Sequence, residues 1–452
     1  MTPDQIAALA REKGVDAVLF TDDAIVRVSY GPFPLRNLLK VSFGQVSVFK
    51  RGLRRYLDEM QFLNHKYPDL LLIPALEVAP FYYWERSPLT GHGILRDWNK
   101  HLLVMGLDET GFLSLPLIGS RPVPLKPFEA KDCLRVWGLL AVVVAVFCFR
   151  KHSFDYRDES GRNLAPPSPF FHRVGWVLLV IGGISLAENY PYHRPAFSIY
   201  EKEKVIPYQN LIDDVQRKGG LVFWAHPEGK TISRTLGPVT FLTDPYPEAL
   251  QETADYTGYA IFYEGFKTIG PVGGIWDQLL RDYCEGKRKR PLWAIGELDY
   301  TREGLAGTWI DTVKTIIFAK EKSEAALLEA MKEGRMVALR HPPEGEIQFG
   351  HFWIEDSASG RRADIGETLS ASGPCRTSIY LSSRGEVPEV VVRLIRDGNV
   401  IQTWQRTLPM EEIFEDAQVE NPLSFYRIEV QSIDGRNKLV TNPIFVSKGG
   451  SP

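Results

Sequence analysis

The stretch GGLVFWAHPEG, from Gly219 to Gly229, decides how the rest of this chain is interpreted. Two glycines interrupt a helix pattern, and the apolar run from Leu221 to Ala225 that follows is typical of a short buried strand. Pro227 cannot continue a strand ladder, so His226 stands at the strand's C-terminal tip. Parallel α/β sheets build their binding sites from such tips, and other strand ends are therefore expected to supply partners for His226.

Helix patterns alternate with short apolar strands over most of the first 340 residues, which indicates an α/β fold. Titratable side chains recur where these strands end or begin. Taken singly, an acid after a strand is usually a helix cap, and a lone histidine usually a hydrogen-bonding residue. Their regular placement favours one shared site, formed by Asp22 and Asp23, Glu77, His101 at the head of its strand, His226 and Asp299.

Carboxylate and imidazole ligands together suit zinc, manganese or iron. Two such ions about 4 Å apart can polarise a phosphoryl oxygen and generate hydroxide near neutral pH. The strand ends therefore predict a divalent metal site. The four cysteines are widely spaced and form no CxxC pair, so they indicate neither a zinc knuckle nor a disulfide framework.

The length of 452 residues predicts two or more domains, and the net charge of -3 gives no reason to expect nucleic acid as a partner. From about residue 349 the pattern changes to alternating strands separated by Asp-Gly turns, at 397–398 and 434–435. Asp-Gly between alternating runs is a strong hairpin signal, so residues 346–452 are predicted to form an antiparallel β-sandwich.

Two apolar segments interrupt the α/β pattern. Residues 136–149, VWGLLAVVVAVFCF, have no polar side chain, and Ser185 is the only polar side chain in residues 174–187. A helix that is apolar all round lies either in a protein core or in a membrane. Both runs are short of the roughly 20 residues that span a bilayer, which favours a buried or peripheral helix pair, but both can be extended at their ends. We predict a membrane hairpin that contacts lipid through residues 136–187, with the helix pair as the alternative.

The segment between the two runs is polar and rich in proline, as a hairpin's connecting loop would be. It has a basic excess, with Arg150, Lys151, Arg157, Arg162 and Arg173 against Asp155, Asp158 and Glu159. The positive-inside rule would make this loop cytoplasmic, with the rest of the chain on the extracytoplasmic side.

Five segments, in order, resemble the polymerase and histidinol phosphatase (PHP) family of metal-dependent phosphoesterases. TPDQIAALAREKGVDAVLFTDD is similar to the segment from the family's first helix to its Thr-Asp-His. The other four are ALEV for the Gly-x-Glu step, KHLLVMG for the strand led by histidine, FWAHPEG for Ala-His-Pro and GELDYT for the final Asp-x-His.

The resemblance implies a distorted (β/α)7-type barrel that binds one to three divalent ions of manganese, zinc or iron. The implied metal ligands are Asp23, Glu77, His101, His226 and Asp299. The resemblance also implies domains at 1–127 and 195–345 for the two parts of the barrel, with the hydrophobic hairpin inserted at 128–194 and the sandwich at 346–452.

The chain departs from the family at three places. Asp23 and Thr301 stand where the family has histidines, and threonine is a poor ligand for these metals. The family's His-x-His and first barrel strand would precede the helix that opens this sequence. We expect either that the native gene continues upstream, with a membrane anchor or signal and the His-x-His, or that the chain is a degenerate member.

The predicted function is hydrolysis of a phosphorylated small molecule by a membrane-associated, metal-dependent phosphoesterase. Lys100 or Lys230 would then bind the phosphate. One alternative is a catalytically silent, membrane-tethered binding or sensor module. Another keeps the barrel and its metals but hydrolyses a C–N or other ester bond.

Overall fold

The computed structural model of the chain describes residues 1–118, 130–162, 165–190, 196–262, 265–305, 308–417, 419 and 421–448. The fold is mixed α/β, with several sheets, one of them a half-barrel sheet, and two apolar helices. It forms two compact units, one of Met1–Ile25, Val46–Leu117 and Lys202–Pro452, the other of Val26–Gln45 and Ile118–Glu201. The boundaries predicted at 127/128 and 194/195 lie outside the described residues.

Short strands and helices alternate along the chain. Up to residue 118 the elements are α1 (Pro3–Glu12), β1 (Ala17–Asp23), β2 (Arg27–Tyr30), β3 (Val41–Gly44), α2 (Val48–Arg51), α3 (Leu53–Lys66), β4 (Leu71–Val78), β5 (Tyr83–Arg86), β6 (Gly93–Arg96), β7 (Leu102–Met105) and α4 (Glu109–Leu113). From 130 to 305 they are a 3-10 helix (Ala130–Val136), α5 (Trp137–Phe149), α6 (Pro169–Asn189), α7 (Ile206–Arg217), β8 (Leu221–Trp224), β9 (Ile232–Leu236), β10 (Val239–Thr243), α8 (Ala249–Glu252), β11 (Gly258–Ile261), α9 (Ile275–Cys284) and β12 (Trp293–Gly296). From 308 onward they are β13 (Val313–Ile317), α10 (Glu324–Lys332), β14 (Met336–Arg340), β15 (Gly345–Asp356), β16 (Arg362–Asp364), β17 (Thr368–Ala371), β18 (Cys375–Gly385), β19 (Val390–Arg396), β20 (Asn399–Arg406), β21 (Met410–Asp416), β22 (Leu423–Ser432), β23 (Lys438–Thr441) and β24 (Ile444–Lys448).

Local sequence signals explain several of these boundaries. A capping box begins α1, since the Thr2 side chain accepts from the Gln5 N–H and the Gln5 side chain accepts from the Thr2 N–H. Gly219, with φ of +80°, follows α7 and turns the chain into β8 in a conformation that favours glycine. All four residues of β8 are buried, as the apolar run predicts.

The half-barrel sheet has the strand order β1-β4-β7-β8-β11-β12. Neighbouring strands are parallel except at β7, which runs antiparallel to both β4 and β8. The start of β7 therefore lies at the same edge of the sheet as the C-terminal ends of the other five strands. A residue at the head of β7 can meet residues at the tips of its neighbours.

Side chains join β12 to the C-terminal region. The Asn442 side chain accepts from the Ala294 N–H at 2.7 Å and donates to the Ala294 carbonyl at 3.0 Å. The Thr315 hydroxyl makes the same pair of bonds with Gly296, at 2.9 and 3.2 Å. These bonds satisfy backbone groups along the edge of the half-barrel sheet that a further strand would otherwise pair.

The C-terminal region contains an eight-stranded sheet, β13-β14-β23-β22-β19-β20 with β17 and β24, and a four-stranded antiparallel sheet, β16-β15-β18-β21. Both sheets contribute to one hydrophobic core. The predicted Asp-Gly hairpin at 397–398 is confirmed between β19 and β20, and both turn residues have positive φ. Smaller sheets are formed by β5-β6-β10-β9 and by β2-β3.

Two helices of the second unit are long and apolar enough to cross a membrane. Asp132–Phe149 has a mean hydropathy of 2.1 and Pro169–Asn189 a mean hydropathy of 1.7, and most of their side chains are not buried in protein. The helices approach closely through glycine, because a Cβ on Gly182 would lie 2.7 Å from the Gly138 carbonyl oxygen. Small residues at such contacts are typical of paired membrane helices.

The close approach predicts opposite effects of the same substitution at adjacent glycines. Gly182→Ala should push the helices apart and destabilise the pair by about 1–3 kcal/mol, the usual effect of overpacking. Gly183→Ala meets nothing within 4 Å and should leave the pair intact or stabilise α6 by about 0.5–1 kcal/mol. Thermal unfolding of both variants in detergent measures the difference, and equal behaviour would contradict the helix contact.

Candidate metal centre

Four strand ends converge at one edge of the half-barrel sheet. Asp23 and Glu77 are directly paired at the tips of β1 and β4. His101 immediately precedes β7, whose first residue pairs with the last residue of β8, and His226 follows β8 by two residues. The antiparallel β7 explains why His101 leads its strand, whereas the other predicted ligands lie at or just beyond the C-terminal ends of theirs.

Glu77, His101 and His226 form a group that can hold a metal ion. Glu77 Oε1 lies 2.5 Å from His101 Nδ1 and 3.1 Å from His226 Nε2. All three ligand atoms lie within 4.8 Å of one another. Their donor chemistry, one carboxylate oxygen and two imidazole nitrogens, fits a divalent transition metal.

The charge of Glu77 controls protonation within this triad. Although burial opposes ionisation, His101 and His226 hold the pKa of Glu77 well below its usual range. Burial also opposes protonation of the histidines, but Glu77 raises the pKa of His101 and, together with Glu297, raises that of His226 to about 10. A metal must therefore displace protons from the imidazoles in order to bind.

Tyr246 orients His226. Its hydroxyl donates to the Ala225 carbonyl at 2.6 Å and lies 3.3 Å from His226 Nδ1. Because the hydroxyl proton is committed to Ala225, the oxygen is available to accept from Nδ1–H, which leaves Nε2 of the neutral ring facing Glu77. The His101 N–H also donates to this hydroxyl, at 3.3 Å. Bonds of this kind fix the tautomer of metal-binding histidines.

The structure adds Glu297, a residue that the sequence analysis did not select. Its Oε2 accepts from the His226 N–H at 2.9 Å. Burial and the charges of Glu77 and Asp299 raise the pKa of Glu297 to about 7. Glu297 could have been selected from the sequence, because it lies two residues before Asp299 at the end of the same strand. No sequence pattern identified Tyr246 as a partner of His226.

The other predicted ligands lie beside the triad. Partial burial, with the charges of Glu77 and Asp299, raises the pKa of Asp23 to about 6, and the charge of Asp299 also acts on His226. Asp299 and His226 both have positive φ, +47° and +30°, which is uncommon outside glycine and concentrates at functional sites. Asp23 and Asp299 are outside the group formed by Glu77, His101 and His226, and their role as ligands stays a prediction.

The two lysines predicted to bind phosphate differ in environment. The Lys100 ammonium lies over three aromatic rings, at 4.8 Å from Tyr208, 5.2 Å from Tyr246 and 5.8 Å from Trp224, and burial lowers its pKa. Cation–π contacts of this kind compensate for lost hydration. Lys230 is exposed to solvent. A phosphate-binding role for either side chain stays a prediction.

Glu228 fixes the loop next to His226. Its carboxylate accepts from the backbone N–H groups of residues 267, 268 and 269 and from the Thr268 hydroxyl. A small pocket opens between this loop and the triad, lined by His226, Glu228, Phe262, Gly265 and Glu297 among others. Its volume of about 10 Å³ has room for about one water molecule.

Comparison with protein-family models and with curated proteins gives no match. Among solved structures, the chain is similar to the PmoD soluble domain from Methylocystis sp. ATCC 49242 (Rockwell), with 11% identity over 22% of this chain and 96% of that one and a TM-score of 0.18. It is also similar to an engineered protein, with 16% identity over 24% of this chain and 21% of that one and a TM-score of 0.16. At these TM-scores the likenesses carry no argument about fold or function.

The triad predicts metal binding that depends on both histidines. His101→Ala and His226→Ala should each weaken Zn²⁺ or Mn²⁺ binding on the order of 100-fold or more, because each removes a ligand outright. Calorimetric titration of metal-free protein measures the affinity. His65→Ala, at an exposed position on α3, is the matched control and should bind normally. Wild-type affinity should also fall with falling pH, since the imidazoles must lose protons.

The raised pKa of Glu297 predicts that the free energy of unfolding changes with pH. A carboxyl whose pKa rises from 4.5 to about 7 on folding favours the folded state only at low pH, and that contribution is lost as the pH rises through 7. Glu297→Gln removes the charge and can still accept from His226. In metal-free protein, the stability of the variant relative to wild type should therefore increase between pH 5 and pH 8, by on the order of 1–3 kcal/mol. If the difference in the free energy of unfolding between variant and wild type is constant or falls as the pH rises, the raised pKa of Glu297 is contradicted.

Proposed function

We propose that this protein is a membrane-associated, metal-dependent hydrolase of phosphoesters, of the PHP type. The observation that carries the proposal is the position of the Glu77 carboxylate between the ring nitrogens of His101 and His226 at one sheet edge. The order of the five family-like segments supports the choice of reaction class. The finer fold description, a PHP-type barrel followed by a β-sandwich, belongs to the same proposal.

Glu77, His101 and His226 would hold the metal, with Asp23 and Asp299 as further ligands. When bound, such a metal supplies Lewis acidity and lowers the pKa of water. Tyr246 keeps the His226 ring in the tautomer that presents Nε2, and the Glu297 carboxylate holds the backbone of the same residue.

Membrane association rests on α5 and α6. Their length, their hydropathy and the exposure of most of their side chains support a hairpin through residues 136–187. The basic excess of the connecting loop supports a cytoplasmic loop, which would place the residues before and after the hairpin on the extracytoplasmic side.

A silent binding or sensor module is the second candidate function. Thr301 in place of the family's last histidine favours it. Hydrolysis of a C–N or other ester bond is a third candidate, because the same metal chemistry would serve it.

Hydrolysis of an aryl phosphate tests the proposal. Purified full-length protein loaded with Mn²⁺, Zn²⁺ or Fe²⁺ should hydrolyse p-nitrophenyl phosphate, and chelation should abolish this activity. His226→Ala should reduce kcat/KM by at least ~1,000-fold, since it removes both a ligand and a contact to Glu77. His65→Ala should retain full activity.

The outcomes separate the candidate functions. Metal binding without hydrolysis of phosphoesters, amides or carboxyl esters would favour the sensor module. Activity on amides or carboxyl esters alone would favour the third candidate. Absence of both metal binding and activity would contradict the hydrolase.

A further inference from the structure

A two-stranded ribbon in the second unit has an unusual distribution of charge and exposure. The ribbon consists of β2 and β3, paired antiparallel from Arg27 opposite Gly44 to Tyr30 opposite Val41. Residues 26–45 contain three basic side chains and no acidic one. An isolated two-stranded ribbon is marginally stable in water and needs a surface to cover its apolar face.

The ribbon has one apolar and one polar face. Directly paired residues share a face, so Val28 and Phe43 lie on one side together with Tyr30 and Val41. Ser29 and Ser42 lie on the opposite side, where their hydroxyls are 2.8 Å apart.

Exposure differs between the two strands. Every residue of β3 is exposed, including the apolar Phe43 at 71% and Val41 at 54%, whereas Val28 and Tyr30 on the same face of β2 are partly buried. The loop from Gly31 to Lys40 continues the apolar surface, with Phe33 81% exposed and Leu38 and Leu39 also exposed. An apolar surface of this extent indicates a partner that is itself apolar.

The loop of the ribbon is bound to the end of α6. The Glu188 carboxylate accepts from the Asn37 and Leu38 N–H groups at 2.9 and 3.0 Å, and the Asn37 side chain donates to the Glu188 carbonyl at 2.7 Å. The Tyr200 hydroxyl holds Gly31 through both backbone groups. The apolar ribbon surface is therefore fixed at the point where the second apolar helix ends.

The charges on the ribbon suit an anionic surface. Arg27, the first residue of β2, and Lys40, which immediately precedes β3, are both exposed to solvent. Apolar side chains combined with basic ones are the composition by which peripheral segments bind the headgroup region of a bilayer.

We propose that residues 26–45 form a lipid-binding ribbon that lies in the headgroup region of an anionic phospholipid bilayer, beside the end of α6. Phe33, Val41 and Phe43 enter the apolar part of that region, and Arg27 and Lys40 contact lipid phosphates. The proposal rests on the membrane association proposed above, and it assigns a role to a segment that the hydrolase site does not use.

Photo-crosslinking to lipid tests the ribbon in the full-length protein. A photoreactive benzoylphenylalanine replaces Phe43, Phe33, Val177 or Phe62 in protein reconstituted into phosphatidylcholine vesicles with about one-third phosphatidylglycerol, an anionic content in the range that recruits basic segments. Mass spectrometry of the irradiated protein counts lipid adducts. Val177, exposed on α6, reports insertion of the helices, and Phe62, 65% exposed on α3, is the matched control.

The proposal expects adducts at positions 33, 43 and 177 and none at 62. Arg27→Gln with Lys40→Gln should reduce the adducts at 43 several-fold in anionic vesicles and leave those at 177 unchanged. Adducts at 177 but not at 33 or 43 would overturn the ribbon and retain the membrane hairpin. Adducts at 33 and 43 alone would retain the ribbon and overturn the hairpin. Equal adducts at 62 and 43, or none at all, would overturn the ribbon.

Discussion

The pairing of the Glu77 carboxylate with the imidazoles of His101 and His226 is the interaction on which the rest of the site depends. A buried carboxylate is costly unless it is paired, and two imidazoles from different strand ends pair with this one. Protons on the imidazoles and a divalent metal are alternative ways to compensate the same charge. Burial, together with the charges of Glu77 and Asp299, raises the pKa of Asp23 to about 6 and that of Glu297 to about 7.

The antiparallel strand β7 makes this arrangement possible. With every strand parallel, a ligand would have to follow its strand, and His101 would lie at the far edge of the sheet. Reversal of one strand brings Leu102, and with it His101, level with the tips of β4 and β8. The side chains of Thr315 and Asn442 complete the sheet edge at β12 without another strand of the same kind. The site thus depends on the direction of β7 and on the side-chain hydrogen bonds to the backbone of β12 more than on loop conformation.

The parts of the fold that depend on apolar runs and on turn residues were predicted from the sequence. The buried strand before His226 and the turn at Asp397 both depend on neighbouring residues, and both are confirmed. Glu297 and Tyr246 could not be selected in that way, because their roles arise from contacts between distant segments. The ribbon of β2 and β3 was also missed, since a short two-stranded element leaves no periodicity long enough to detect. The barrel type, the metal identity and the reaction remain predictions.

The order of the triad along the chain has a consequence for biosynthesis. Glu77 and His101 are translated before α5 and α6, and His226 after them. A nascent chain that stalls or is cleaved within the apolar hairpin contains a carboxylate and one imidazole but lacks the second, so it cannot close the site. With the hairpin in a membrane, as proposed, maturation of the centre would be coupled to insertion of the hairpin. Chains that fail at that step would leave Glu77 with a single compensating partner.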